Sequence, residues 1–261
     1  MTKLDYSYLI GKTPVVLDGI CTLSSPKLSS IYGEKGISYP IYSMYLSAIL
    51  CTKEDYYIRF EGKDEKWLQE KHDDEKSLFS LITNNSQAIQ LYENALNFFL
   101  NDIVVFDENA KIFLTFDGTE DDDGLVLTGV ITEKTFTELC GIIAQLNGVS
   151  NEEIIVEEKP RFKNKSAQKL YEKIQANKRK QIKTKKEDRN MQLTNLISAV
   201  SSKSNSYNYL NIWDLTICQF YDEFRRLVNN TSFDITSTSV AVWGDEKGKF
   251  NMSSWYESIF N

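Results

Sequence analysis

The sequence predicts an α+β protein, mostly helical, with small β-hairpins and a basic connecting helix. Three observations lead there. The stretch Asn211 to Val228, NIWDLTICQFYDEFRRLV, is strongly amphipathic. Short β-rich runs surround turn signals at Asp18-Gly19 and at Asp107 to Ala110. A charged segment from Lys159 to Arg189 holds thirteen Lys or Arg against three Asp or Glu.

Asn211 to Val228 is the stretch around which the rest is organised. Ile217, Phe220, Tyr221, Phe224, Leu227 and Val228 recur at three- and four-residue steps, the spacing of one helical face. Asp222, Glu223, Arg225 and Arg226 fall mostly opposite. Asn211 can cap the first turn, and Asp214 there suits the helix dipole. So aromatic a stripe buries a large area per residue, which is the signature of a core helix.

From the N-terminus, Val15 to Leu17 and Ile20 to Leu23 flank Asp18-Gly19 and predict a hairpin. Ser25-Pro26 reads as a helix start, with Pro at the first helical position and an end near Gly33. Tyr39 to Cys51 is a second apolar helix, with Ile41, Tyr45, Ala48 and Ile49 on one face. Glu54 to Lys76 is charged and poorly periodic, with Trp67 as an isolated anchor. Two helices, Asp73 to Ile82 and Ser86 to Leu100, are broken by Asn84-Asn85. The second sets Ile89, Tyr92, Leu96 and Phe99 in register.

From Asp102 to Asp117 the period changes, and IVVF and KIFLTF read as a hairpin. Leu125 to Val130 adds a strand. Thr132 opens a helix with Phe136, Leu139, Ile142, Ile143 and Leu146 apolar, which Gly148 terminates. The basic segment reads as a long solvated helix fading into a linker near Lys183. Leu193 to Val200 is a short helix. After the organising helix, Thr238 to Trp243 reads as a strand and Gly244 to Gly248 as a turn. Ser253 to Phe260 reads as a last short helix anchored by Trp255 and Phe260. The division expected is 1–158, an α+β domain; 159–190, the basic helix or linker; and 191–261, a helical subdomain.

The chain has 261 residues, is 41% hydrophobic and carries a net charge of −7. That suffices for a core on an acidic surface. No run approaches the roughly 20 apolar residues of a membrane span. The N-terminus lacks the basic and apolar regions of a secretory signal. Cys21, Cys51, Cys140 and Cys218 are far apart in apolar contexts and read as buried hydrophobes in a reducing cytosol.

Catalytic chemistry finds little to work with. His72 is the only histidine and sits in EKHDDEK, a solvated context, so no His-based triad and no zinc site is expected. No phosphate loop or dinucleotide fingerprint occurs. The acidic turn Asp117 to Gly124, aligned as a calcium loop, puts Thr119 at the first ligand position and Val130 where Glu is required. It therefore reads as a solvated turn. Neither catalytic residues nor cofactors are assigned. The basic segment can meet phosphate backbones, an acidic protein, or solvent alone. Its charge of about +10 leaves about −17 for the rest of the chain.

Two stretches together resemble a known group. They are YLIGKTPVVLDGICTLSSPKLSSIYGEKG and YNYLNIWDLTICQFYDEFRRL, Tyr207 to Leu227. With the basic helix between them they resemble tail-region proteins of phages and prophages of AT-rich bacteria, several regarded as tail-assembly chaperone-like. The resemblance implies a non-enzymatic tail-assembly factor in the host cytoplasm that keeps the tape-measure polypeptide soluble while tube subunits polymerise. Its partners would be tape-measure and tube proteins, with a homo-oligomer as a further option and no membrane. The alternative is a structural virion component, or an assembly protein that meets nucleic acid through the basic helix. The residues expected to meet a partner are Lys163, Lys169, Lys173, Arg179 and Lys180 on the basic segment, and Trp213, Phe220 and Phe224 on or beside the aromatic helix.

Overall fold

Two small antiparallel sheets stand among helices, the α+β arrangement expected. The computed structural model describes residues 3–64, 67–68, 76–118, 125–149, 189–246 and 248–258. The chain divides into two compact units, Met1–Ile155 with Trp213–Asn261, and Val156–Ile212. Residues 213–261 thus share a unit with the N-terminal residues. The expected boundary at 158 and the basic helix 159–188 lie outside the described residues.

In the first unit, α1 (Tyr6–Ile10) leads into β1 (Val15–Leu17) and β2 (Cys21–Leu23), paired Val15 to Leu23 through Leu17 to Cys21. The turn works because Gly19 has φ +69°, the left-handed region that glycine enters freely. Next comes α2 (Leu28–Tyr32), which starts two residues later than Ser25-Pro26 suggests. The reason is that the Pro26 carbonyl is taken by the Ile217 amide at 2.9 Å. In α3 (Tyr39–Ile49) the buried residues are Tyr42, Ala48 and Ile49, while Ile41 is exposed, so the inner face is rotated from the expected one. Tyr42 turns inward because Phe98 and Phe99 receive its ring at 6.1 and 6.3 Å.

The charged stretch after α3 forms α4 (Lys53–Glu61), a helix the sparse apolar pattern concealed. Its start is a capping box, with the Asp55 amide donating to Thr52 Oγ1 and the Thr52 amide to Asp55 Oδ2. Trp67 does anchor, its ring 4.8 Å from Tyr57. Then follow α5 (Leu78–Ile82) and α6 (Ser86–Phe99), capped by Ser77 and Asn85. The central sheet is β3 (Ile103–Asp107), β4 (Ile112–Phe116) and β5 (Leu127–Ile131), in that order. After it runs α7 (Glu133–Leu146), ended by Gly148 at φ +76°.

The core joins these layers. Phe79 lies 6.2 Å from Phe113 and 5.2 Å from Phe136, and Phe136 lies 5.8 Å from Tyr92. Tyr92 is buried with its hydroxyl donating to the Ala48 carbonyl at 2.7 Å, so a polar atom enters the core satisfied.

The organising helix is α9 (Ile217–Trp243), 27 residues long. Its cap is Thr216 with Gln219, not Asn211, which lies before a short 3₁₀ turn, Ile212–Asp214. It runs straight through the expected strand at Thr238 to Trp243. That expectation fails because β-branched residues there continue a helix already propagated from a buried start. The first turn is sewn into the unit: Leu28 N–H donates to Leu215 O at 2.9 Å, Gln219 Nε2 to Ile10 O at 2.8 Å and Cys218 Sγ–H to Gln145 O at 3.3 Å. Past Gly244 the chain turns back to a 3₁₀ turn, Ser254–Tyr256. Trp255 is exposed there instead of anchoring, and Phe260 lies outside the described residues.

In the second unit the described residues form α8 (Leu193–Lys203), preceded by a 3₁₀ turn at Arg189–Met191. Leu193, Leu196, Ile197 and Val200 share its buried face. The loop after it is held locally, with Tyr209 Oη 2.9 Å from Ser198 Oγ and Asn211 Nδ2 donating to Ser206 O at 2.9 Å.

Candidate interaction surfaces

The central sheet buries one face and bares the other. Inward go Val104, Phe113, Thr115 and Ile131, all buried. Gly129 sits among them because a Cβ there would stand 2.5 Å from the Gly19 carbonyl carbon, so the β1–β2 turn presses directly on β5. The Val130 amide donates to Gly19 O at 3.0 Å, which covers part of that edge, and Thr115 Oγ1 on the central strand donates to Ile20 O at 2.6 Å. The other edge is covered by α6. Asn97 receives the Val104 amide at 2.9 Å and donates to its carbonyl at 2.8 Å, and Glu93 receives the Phe106 amide at 3.1 Å. Both edges therefore have part of their hydrogen bonding met within the chain.

The outward face is a different matter. Register places Ile103, Phe116 and Leu127 in one cross-strand row and Val105, Leu114 and Val130 in the next. Ile103, Val105 and Leu127 are exposed and the other three half-buried. An antiparallel sheet with one face on the core normally turns polar residues to water on the other. Six apolar side chains in two rows are instead the kind of patch that marks a docking surface. Asp107 and Glu108, with Lys111, stand at one end of the strands and Asp102, which accepts the Thr22 amide, and Asp117 at the other, so the rim is acidic on balance.

A second apolar feature lies on the outer half of α9. Val228, Ile235 and Val242 are all exposed. A third surface is a cleft of about 450 Å³ between α3 and α4, lined by Leu46, Leu50, Ile58, Ser43, Asp55 and by Arg59, whose Nη2 donates to Ser47 Oγ at 2.6 Å.

The residues proposed from sequence fare unevenly. Phe220 is a core residue with 0% exposure, its ring 5.6 Å from Tyr221. Trp213 is half-buried with its ring 6.3 Å from Tyr32, and Phe224 is half-buried on α9. Lys163, Lys169, Lys173, Arg179 and Lys180 lie outside the described residues, as do His72 and residues 119–124 of the acidic turn. The exposed sheet face had a sequence signal that alternation reasoning passed over: IVVF and IFLTF are apolar at nearly every position, the pattern of a strand apolar on both sides.

Titratable groups show what this chain buries. Desolvation pushes the thiol of Cys21 up to about 12 and that of Cys218 up to about 11, and holds Cys140 well above the ordinary thiol range. These thiols are poor nucleophiles and poor ligands near neutrality. Among the described residues no group of three His, Cys, Asp or Glu side chains comes together to hold a metal ion. No described helix is long and apolar enough to cross a membrane.

The comparisons point to one class of protein. A family model described as the YomV second domain matches residues 183–260, less than a third of the chain. That family is phage-associated, and the match fits a phage-related protein. No curated protein and no solved structure matches the chain.

Proposed function

We propose that this is a non-enzymatic phage assembly factor that binds a protein client on the outer face of its central sheet, and that the client is the tape-measure polypeptide of a tail. The observation that carries the reading is the six-residue apolar face with its acidic rim. A long helical client exposes apolar faces until the tube encloses it, and such faces aggregate. An amphipathic helix laid across the two rows would bury its apolar side there. Basic residues flanking that side would meet Asp107 and Glu108, so charge helps select the client.

The test is co-expression with a tape-measure polypeptide. The client should move from pellet to soluble fraction and co-purify. Val105→Asp or Leu127→Asp should abolish both effects while leaving the melting temperature near that of the parent, because both side chains already face water. Retained solubilisation in both variants would overturn the docking face. Stoichiometric amounts of the protein in purified virions would overturn the chaperone role and favour a structural component. Filter binding at two salt concentrations addresses the basic segment 159–189: a log–log slope near −0.9 per phosphate contact would assign it to nucleic acid.

A further inference from the structure

Residues 228–243 of α9, VNNTSFDITSTSVAVW, hold a single charged residue, Asp234, and are dominated by Asn, Ser, Thr, Val and Phe. All of these are poor helix formers, and helices of such composition depend on packing for their stability. Among the described residues the packing lies on one side of this half. Phe233 lies 5.6 Å from Phe250 and Arg226 Nη1 donates to Glu257 O at 3.0 Å, so the returning C-terminal segment covers that side.

Ile235 lies roughly 160–180° around the helix from Phe233 and Arg226, at about 100° per residue. It belongs to a stripe that repeats every seven residues: Val228, Ile235 and Val242, with Thr231 and Thr238 between them. The three aliphatic residues are 51%, 68% and 64% exposed. Thr231 can be buried without an unpaired hydroxyl, since its Oγ1 already donates to Leu227 O at 2.7 Å.

We infer that a second copy of this chain covers the stripe, the two α9 helices pairing in parallel as a short two-stranded coiled coil through Val228, Ile235 and Val242. Three features select this occupant. A seven-residue repeat is the spacing at which two helices that supercoil around each other stay in contact along one stripe. In parallel register Val meets Val, Ile meets Ile and Thr meets Thr, so the stripe matches itself layer by layer. Charge does not oppose self-pairing, because Asp234 is the only ionised group along it and Ser239, its cross-helix neighbour, is neutral.

The area sets the strength. Full burial of the stripe removes about 500 Å² per copy, or roughly 1,000 Å² in all, just below the range of stable specific interfaces. The pair should therefore form and dissociate reversibly at micromolar concentration. This inference does not depend on the client-binding reading.

Sedimentation equilibrium of the full chain tests it. From roughly 1 to 100 µM the weight-average mass should climb from 30.1 kDa toward twice that value. Ile235→Asp should hold the mass at the monomer value throughout, whereas Asn230→Asp, on another face of α9, should behave as the parent. Val242→Cys, which keeps the core intact, should give on treatment with the thiol oxidant diamide a disulfide-linked dimer joined through the two introduced thiols, because parallel pairing sets them opposite each other. A parent that stays monomeric at 100 µM, an undiminished dimer in Ile235→Asp, or no cross-link in Val242→Cys would each overturn the proposal. The cross-link also decides the matter if Ile235→Asp fails to fold.

Discussion

Phe220→Ala measures how deeply α9 is set into its unit. Phe220 is fully enclosed, and the turn before it is held by the Leu28 to Leu215 and Ile217 to Pro26 hydrogen bonds, so the site cannot easily collapse around a smaller side chain. Truncating a fully buried Phe to Ala costs about 3–5 kcal/mol. For a unit of this size each kcal/mol lowers the melting temperature by roughly 2–4 °C, so a fall of about 6–20 °C is expected. Phe224, one turn on, is only half-buried, and Phe224→Ala should give less than half that fall. Differential scanning calorimetry of the three proteins side by side is the assay, with Phe220→Leu as a volume-retaining control that recovers most of the loss. Equal falls for Phe220→Ala and Phe224→Ala would show that α9 does not enter the core at Phe220, and would refute the packing described for it.

Three further outcomes follow from single contacts. Gly129→Ala should destabilise by more than about 2 kcal/mol, because its Cβ would meet backbone atoms of Gly19 and Ile20 at 2.5 Å and neither can swing aside; denaturant unfolding measures it. Tyr92→Phe should lose about 0.5–1.5 kcal/mol, since the 2.7 Å bond goes while the Ala48 carbonyl keeps the Cys51 amide at 3.1 Å; an unchanged midpoint would contradict that bond. Alkaline pH should unfold the protein. Burial lifts Tyr32 to about 12 and raises Tyr42, Tyr92 and Tyr221 above their usual value. The neutral forms are thus favoured in the folded state, and their contribution is complete below about pH 10 and lost as pH climbs through 12. Of the tyrosinate absorbance of the fourteen tyrosines, the share that belongs to these four should appear only together with loss of circular dichroism; their ionisation in a still-folded protein would contradict their burial.

How much of this was legible in the residues differs from element to element. The β1–β2 hairpin, the β3–β4 hairpin and α6 follow directly from Asp18-Gly19, from the change to β-rich runs and from the three-and-four spacing of Tyr92, Leu96 and Phe99. α4 was hidden because its helical signal lies in the Thr52/Asp55 cap and not in apolar periodicity. The outer half of α9 was hidden for the opposite reason. Its residues favour strand locally, and helix prevails through Phe233 on Phe250 and continuity with a buried first turn. Of the aromatic residues expected to meet a partner, one lies in the core, because aromatic richness marks burial as readily as contact. Phe220 is aromatic and enclosed, whereas the open faces are aliphatic, at Val105 and Leu127 on the sheet and Ile235 on the helix.

Coupling the two open surfaces gives a last prediction. A protein that holds a client during assembly must also let it go, so a single face that binds very tightly would be a poor holder. Two weak faces on a reversible pair satisfy both needs. A client with several amphipathic helices would engage one face and then meet the second at an effective concentration near millimolar, which can raise overall affinity by about 10²–10⁴ without any new contact. A peptide with one such helix gains nothing from pairing. Ile235→Asp should therefore sharply weaken binding to a long multi-helix client while leaving binding to a one-helix peptide unchanged, and Leu127→Asp should weaken both. Isothermal titration with the two ligands separates the cases. Equal losses for long and short ligands in Ile235→Asp would mean that the stripe on α9 itself touches the client, and the division of labour between sheet and helix would be wrong.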